Sequence, residues 1–223
     1  RVSETDPECR IMKENNGGYA PCYNAQISTD SANGVIVAAG ISQASNDQKE
    51  LVPAVELIEK NVEKKPNEIL VDGGYTSREN VIAIADKEIG LIGSIGDGKA
   101  QSIAQFQRRG VAPEYRPTAF TYDVENNRYL CPKGYALNLS GTEARPGCLC
   151  HHYCARAEDC LACPAKNLCS PQTKNSGRTI TRIVEDPKVV DFRKKMETEE
   201  AKQTYKIRGP LAEFSNLWLK SKN

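Results

Sequence analysis

Long apolar runs are missing from this sequence, because none reaches the roughly 18 to 20 residues that a membrane-spanning helix needs. The polar opening segment, RVSETDPECR, contains no visible secretory signal. Internal repeats are also absent, and neither sign of charge dominates, since the net charge is +1. With 223 residues, 39% of them hydrophobic, the chain is long enough to bury a core in one or two domains. These absences argue against a membrane protein and leave a globular one.

An initiator methionine is missing as well. The sequence starts at Arg1 in the middle of a polar pattern and stops at Asn223, just after the apolar helical pattern SNLWLK. We therefore expect that both ends are cut from a longer protein.

The charge is unevenly divided between the two halves of the chain. Residues 1–100 contain 10 Lys and Arg against 16 Asp and Glu, whereas residues 101–223 contain 20 against 13. A basic second half is what a surface facing a polyanion such as DNA would carry, although an ordinary solvated surface would account for it equally well.

Nine cysteines are present, and seven of them lie between residues 131 and 169. Since the count is odd and no secretory signal is visible, metal binding is favoured over a disulfide framework. Cys160 and Cys163 form a CxxC pair, which is the usual half of a tetrahedral zinc site. The favoured Zn²⁺ ligands are Cys131, Cys160, Cys163 and Cys169, and the rival ligands are Cys148, Cys150, Cys154, His151 and His152. The other interpretations of the clustered cysteines are free structural thiols and the ligands of an iron–sulfur cluster.

Residue patterns predict an α/β fold. Two runs rich in β-forming residues flank a turn at 30–34, and the second run is continuously apolar, which predicts burial on both faces. Further along, the patterns predict a helix over 47–64, a strand over 68–72, a helix over 78–88 and a strand over 89–95. Periodicity is lost over 96–130, and a helical pattern over 186–221 has a predicted break at Gly209–Pro210.

Two carboxylates stand out as candidates for chemistry. Asp72 ends a short apolar strand before two glycines, at the strand end where α/β sites usually lie. Carboxylates in such a place can hold Mg²⁺ for phosphoryl displacement, although a simple turn cap is the alternative. Glu213 lies in an apolar helical segment, where a carboxylate either binds a metal or pairs with a cation such as Arg208.

Three separated blocks, taken in order, resemble a known family. They are GGYAPCYNAQISTD at 17–30, VDGGYTSREN at 71–80 and YKIRGPLAEFSNLWLK at 205–220. Together they resemble the DDE transposases of bacterial insertion sequences. The resemblance implies an RNase H-like mixed sheet flanked by helices, formed by residues 1–95 without its first strand and by residues 184–223. Residues 96–183 would be an insertion with a small cysteine-rich zinc-binding module.

The resemblance also assigns roles to single residues. Asp72 and Glu213 become the second and third catalytic carboxylates, which hold Mg²⁺ or Mn²⁺. Asp30 and Asp47 do not fit the strand position of the first catalytic Asp, so that residue is expected upstream of Arg1, and the isolated chain should bind metal poorly. The residues implied for DNA contact are Tyr205, Arg208 and Lys220, with one extra residue between Arg208 and Glu213.

The expected function is Mg²⁺-dependent DNA strand cleavage and strand transfer at insertion-sequence ends. The expected partners are double-stranded DNA, both transposon ends and target, and further copies of the protein on that DNA, with no membrane contact. The implied location is the bacterial cytoplasm, associated with the nucleoid. A non-catalytic DNA-binding remnant and a related metal-dependent nuclease are the alternatives.

Overall fold

A computed structural model describes residues 4–13, 17–96 and 99–212. The chain divides into two compact units. Unit 1 comprises Arg1–Gly96 together with Asp186–Asn223, and unit 2 comprises Asp97–Glu185. Strands and helices alternate in unit 1, so the predicted α/β class is confirmed. Within the described ranges, no helix has the length and apolar character that crossing a membrane requires.

The first part of unit 1 contains three two-stranded sheets. Its elements are β1 (Arg10–Lys13), β2 (Tyr19–Cys22), β3 (Asn24–Thr29), β4 (Ile36–Ser42), α1 (Leu51–Val62), β5 (Glu68–Leu70), α2 (Arg78–Asp86) and β6 (Gly90–Ile92). The β1–β2 and β3–β4 pairs are antiparallel, and β3–β4 is the predicted hairpin. The β5–β6 pair is parallel with α2 as its crossover, which brings the carboxyl ends of both strands to one edge.

The predicted burial of the second hairpin strand on both faces is wrong. Ala38 of β4 is buried, but Ile36 is 39% exposed, and Val35 just before the strand is 57% exposed. Helix α1 covers one face, since a Cβ added at Gly40 would lie 3.7 Å from Leu57 Cδ2. Among the described residues β4 pairs only with β3, so the apolar sequence reflects a strand covered on one face.

The helix predicted over 47–64 begins later than its pattern suggested. Asp47–Lys49 forms a separate 3-10 turn, in which Asn46 Oδ1 accepts a hydrogen bond of 3.2 Å from the Gln48 amide. The regular helix α1 then starts at Leu51. Pro53 is its third residue, where the missing N–H would have no partner within the helix, so proline is tolerated there.

Unit 2 is built on a five-stranded antiparallel sheet in the order β11-β10-β9-β8-β7. Its elements are α3 (Lys99–Arg108), β7 (Thr121–Asp123), β8 (Arg128–Leu130), β9 (Ala136–Arg145), β10 (Cys148–Ala155), α4 (Ala157–Leu161), α5 (Lys166–Cys169) and β11 (Thr179–Glu185). The core residues are Phe120, Leu137, Tyr153, Ala155 and Ile180. The sequence did not reveal α3, because Ile103 and Phe106 are its only large apolar residues.

Two helices follow unit 2 in sequence and return the chain to unit 1. They are α6 (Pro187–Glu197) and α7 (Glu199–Lys206), and helical turns resume over 208–212. Up to residue 212, where the description of this pattern ends, the breaks lie at Thr198 and Ile207, so the break predicted at Gly209–Pro210 is misplaced. Thr198 ends α6 because its extended backbone lets its hydroxyl cap α7 by accepting from the Ala201 amide at 3.3 Å.

The core of unit 1 joins residues from both of its sequence segments. Its buried members are Leu51, Val55, Val81, Ile84, Ile89, Leu91, Val189 and Phe192. The last two belong to α6, which packs against α2. Burying each large apolar side chain contributes about 1.5–3 kcal/mol, so α6 is an integral part of this core.

Candidate catalytic and metal sites

Asp72 lies two residues beyond β5, at the edge where the parallel strands end. The ladder continues one residue past β5, because the Val71 amide donates to Ile92 O at 2.9 Å. Asp72 then turns the chain, since its Oδ1 accepts a hydrogen bond of 2.7 Å from the Gly74 amide. Both interpretations of Asp72 are thus compatible with the geometry. It caps the turn with one oxygen, and it places a half-exposed carboxylate at the strand end.

A second carboxylate lies beside Asp72. A Cβ built at Gly74 would lie 3.0 Å from Asp72 Oδ1 and 3.5 Å from Asp47 Oδ2, so both carboxylates flank the same point. Asp47 Oδ1 accepts hydrogen bonds from Asn24 Nδ2 at 2.7 Å and from Gln26 Nε2 at 2.9 Å. In the sequence, Asp47 lies at a predicted helix start and does not fit the strand position of the first catalytic Asp, so its place beside Asp72 is not predicted. The signal that could have found this arrangement is the pair of amides at alternate positions of β3, on one face of the strand.

Tyr75 completes the polar network around these carboxylates. Its hydroxyl donates to Gln26 Oε1, the oxygen of an amide that also donates to Asp47. Burial, followed by the negative charges of Asp47 and Asp72, raises the pKa of Tyr75 to about 12. The phenol therefore stays protonated at neutral pH and acts as a hydrogen-bond donor.

Asn80 ties the Asp47 and Asp72 loops together. Its side chain is buried and donates to Gln48 O at 2.7 Å and to Tyr75 O at 2.6 Å. Since Gln48 follows Asp47 and Tyr75 lies three residues after Asp72, one amide fixes both carboxylate-bearing loops. Hydrogen bonds from one buried side chain therefore hold the two loops together.

Of the four remaining residues expected at the catalytic site, the structure describes two. Glu213 and Lys220 lie outside the described residues, so their predicted place beside Asp72 stays a prediction. Tyr205 and Arg208 are described, and the guanidinium carbon lies 5.5 Å from the centroid of the tyrosine ring. The two side chains, both half-buried, therefore form one cation–aromatic pair at the end of α7.

In unit 2, the four favoured cysteines line one cavity. Cys131 follows β8, Cys160 lies in α4, Cys163 follows that helix, and Cys169 ends α5. Two backbone amides point at sulfur atoms, from Tyr135 to Cys131 Sγ and from Arg178 to Cys160 Sγ, each at 3.3 Å. Burial raises the pKa of Cys169, Arg178 lowers it, and Cys160, Cys131 and Cys163 raise it.

The rival ligands are spread along one strand. Cys148, Cys150, Cys154 and both histidines all belong to β10. Because an extended strand rises about 3.3 Å per residue, Cys148 and Cys154 lie roughly 20 Å apart. Two sulfurs on one zinc ion can be no more than about 4.6 Å apart, since each Zn–S bond is about 2.3 Å. His151 and His152 instead contact Thr142 and Thr181, at 2.9 and 3.1 Å.

A formed zinc site is not present among the described residues. All nine cysteines are free thiols, and in the part of the chain that the structure describes no group of three or more His, Cys, Asp or Glu is arranged to hold a metal ion. The four cysteines share a cavity without the tetrahedral geometry, so zinc binding stays a proposal.

Comparison with known proteins bears on the second half of the chain. Residues 130–222 match the family model of the transposase DDE domain. The resemblance to a DDE transposase is confirmed. The matched segment contains all seven clustered cysteines, together with Tyr205, Arg208 and Glu213, whereas Asp72 lies outside it. No curated protein and no solved structure matches the chain.

The match to the transposase DDE domain supports a transposase-type function with DNA as substrate. Transposases of this family are polynucleotidyl transferases that generally use a divalent metal ion. Carboxylate oxygens are the ligands that Mg²⁺ prefers, and Asp72 and Asp47 present two such groups at one strand end.

Proposed function

We propose that this chain is part of a Mg²⁺-dependent transposase that cleaves and rejoins DNA strands at insertion-sequence ends. The observation that carries the proposal is the half-exposed carboxylate of Asp72 at the end of a parallel strand, fixed beside Asp47, in a chain that matches the transposase DDE domain. The order hairpin, helix, strand, helix, strand in residues 24–92 supports an RNase H-like core.

Asp72 and Glu213 would hold Mg²⁺ or Mn²⁺. Bound there, the metal would activate the attacking oxygen and stabilise the oxygen that leaves phosphorus. Asp47 lies beside Asp72 and would add negative charge to the site, while Asn24 and Gln26 hold its orientation. In this proposal residues 1–95 and 184–223 form the catalytic core, and residues 96–183 form the cysteine-rich insertion.

Tyr205, Arg208 and Lys220 would contact the DNA backbone. Arginine and lysine bind phosphate oxygens, and such contacts position DNA without reading its sequence. The Tyr205 ring beneath the guanidinium of Arg208 limits the rotation of that side chain, which favours a fixed contact. Cleavage at two transposon ends further requires assembly of more than one copy on DNA, in the cytoplasm where the nucleoid lies.

The test uses the protein encoded by the complete reading frame that contains this chain. It is incubated with labelled double-stranded DNA carrying the ends of the surrounding element, with target DNA, and with either Mg²⁺ or EDTA. Strand cleavage and joining to the target that need Mg²⁺ are the expected result. Binding without cutting would favour the DNA-binding remnant, and cutting without joining would favour a nuclease.

We also propose that Cys131, Cys160, Cys163 and Cys169 bind one Zn²⁺. The support is their common cavity and the two backbone amides that point at Cys131 and Cys160. A metal would have to draw the four sulfurs together, since they line one cavity without forming a metal-binding group.

Zinc binding can be measured directly by elemental analysis of the purified protein. We expect about one equivalent of zinc in the wild type and almost none in Cys160→Ser, because three ligands hold the ion poorly. Cys154→Ser is the matched control, since Cys154 lies on β10 outside the cavity, and it should keep the full equivalent. Loss of zinc in Cys154→Ser but not in Cys160→Ser would instead support the rival ligand set.

A further inference from the structure

Neutral groups orient the carboxylates of Asp47 and Asp72. Asp47 Oδ1 accepts hydrogen bonds from Asn24 Nδ2 at 2.7 Å and from Gln26 Nε2 at 2.9 Å. Asp72 Oδ1 accepts one from the backbone amide of Gly74 at 2.7 Å. Amide donors fix the direction of a carboxylate without cancelling its charge, so both aspartates keep their negative charge when they are ionised.

The orientation of the Gln26 amide follows from the groups on its two sides. The Tyr75 hydroxyl donates to Gln26 Oε1, while Gln26 Nε2 donates to Asp47 Oδ1. The reverse orientation would place the amide oxygen against the carboxylate oxygen, and two acceptors without a proton between them repel each other. Tyr75 and Gln26 therefore form a chain of donors that ends on Asp47 and fixes the direction of its carboxylate.

Neither carboxylate forms an ion pair with the part of the chain that the structure describes. Asp86 of the same unit, by contrast, pairs with Lys188. Because Asp47 and Asp72 flank one point and carry the same charge, they repel each other, and a cation bound between them would turn that repulsion into attraction.

Gly74 leaves room beside both carboxylates. A Cβ at this position would lie 3.0 Å from Asp72 Oδ1 and 3.5 Å from Asp47 Oδ2. The first distance is tighter than an ordinary van der Waals contact, so a side chain would occupy space that glycine keeps open. Carboxylate oxygens are the ligands that Mg²⁺ prefers. The donor atoms and the open space therefore both fit a divalent cation.

We propose that Asp47 is an additional carboxylate of the Mg²⁺ site, and that Asp47 and Asp72 bind the same divalent cation. The inference rests on the Mg²⁺ site proposed above for Asp72 and Glu213. Asn24 and Gln26 are positioning residues, because the carboxylates that bind a metal are usually oriented by hydrogen-bonded partners. Asp47 then contributes to the affinity for the cation in addition to its place in the 3-10 turn.

The probe is Mn²⁺, which also prefers oxygen ligands, and its binding to the protein of the complete reading frame is followed by electron paramagnetic resonance. Asp47→Asn should weaken Mn²⁺ binding by about 10- to 100-fold. The asparagine oxygen can still accept hydrogen bonds from Asn24 and Gln26, so the fold should survive. Asp72→Asn should weaken binding at least as much. Asp86→Asn, the matched control, should bind Mn²⁺ like the wild type.

DNA cleavage measured against the concentration of Mg²⁺ separates a role in metal binding from a structural role. In Asp47→Asn, the Mg²⁺ concentration that gives the half-maximal rate should rise by the same factor as the Mn²⁺ dissociation constant. The rate at saturating Mg²⁺ should approach that of the wild type. A defect of the turn alone would lower the maximal rate, and added Mg²⁺ would not restore it.

The outcomes distinguish the two proposals. Wild-type protein that binds no Mn²⁺, or Asp72→Asn protein that binds it like the wild type, would refute the Mg²⁺ site at the end of β5. Weaker binding by Asp72→Asn with unchanged binding by Asp47→Asn would leave that site intact and overturn the role of Asp47. If Asp47→Asn does not fold, Gln26→Met decides, because it removes a donor that orients Asp47. Unchanged Mn²⁺ affinity in Gln26→Met would then overturn the inference, and weaker binding would support it.

Discussion

Asp72→Asn should abolish Mg²⁺-dependent cleavage of transposon-end DNA while the protein still folds and binds DNA. The carboxylate would contribute several kcal/mol to stabilising charge at phosphorus through the metal, and each 1.36 kcal/mol is tenfold in rate, so a loss of roughly a thousandfold or more is expected. The asparagine Oδ1 can still accept the hydrogen bond from the Gly74 amide, so the turn after β5 should survive. This substitution therefore separates the catalytic role of Asp72 from its role as a turn cap.

The matched control is Asp86→Asn, made in the same complete protein. Asp86 ends α2 and forms an exposed ion pair with Lys188, which contributes at most about 1 kcal/mol. Its replacement should leave the rate of strand cleavage unchanged. Wild-type cleavage by Asp72→Asn, measured on the same labelled DNA, would show that this carboxylate only caps the turn.

Gly177→Ala should strongly destabilise unit 2. A Cβ at this position would lie 2.6 Å from the backbone carbonyl carbon of Ala155 and closer still to its oxygen. Neither backbone can move freely, because the Ala155 amide donates to Arg178 O at 2.9 Å and both residues adjoin paired strands. Overpacking usually costs about 1–3 kcal/mol, and a collision with backbone should reach or exceed the upper end of that range.

Chemical denaturation followed by circular dichroism measures this effect, with Gly141→Ala as the comparison. Gly141 lies on β9 in the same sheet, and an added Cβ there would meet no atom within 4 Å. Its substitution should change the free energy of unfolding by less than about 0.5 kcal/mol. Equal stability of the two variants would mean that residues 155 and 177 are not packed backbone to backbone.

Local patterns were enough to predict those elements of unit 1 that are bounded by turn or helix-capping residues in the sequence. Asp30 and Gly34 begin and end the hairpin turn, and Ser77 caps α2 by accepting from the Asn80 amide at 3.2 Å. The exposure of Ile36 could not be predicted, because an apolar strand has the same sequence whether one or both of its faces are covered. That difference is set by tertiary partners.

In the candidate sites, too, contacts between residues close in sequence could be predicted, whereas contacts between residues far apart in sequence could not. The CxxC spacing predicted that Cys160 and Cys163 would lie together, and Cys131 joins them across about thirty residues through the pairing of β8 and β9. The neighbourhood of Asp47 and Asp72 depends on the amides of Asn24 and Gln26 in β3 and on Asn80, three side chains spread over more than fifty residues. No spacing rule connects such residues, so only the fold reveals that they meet.

The division of unit 1 into two sequence segments has a consequence for the order in which the protein folds during synthesis. Leu91 and Val189 pack in one core, yet about a hundred residues separate them in the chain. At roughly 5–20 residues per second, a ribosome needs about 5–20 s to add that stretch. During this interval all of unit 2 can leave the ribosome. Leu51, Val55 and Ile84 meanwhile lack their core contacts with the side chains of α6. The nascent chain should therefore depend on chaperones most strongly just before α6 leaves the ribosome.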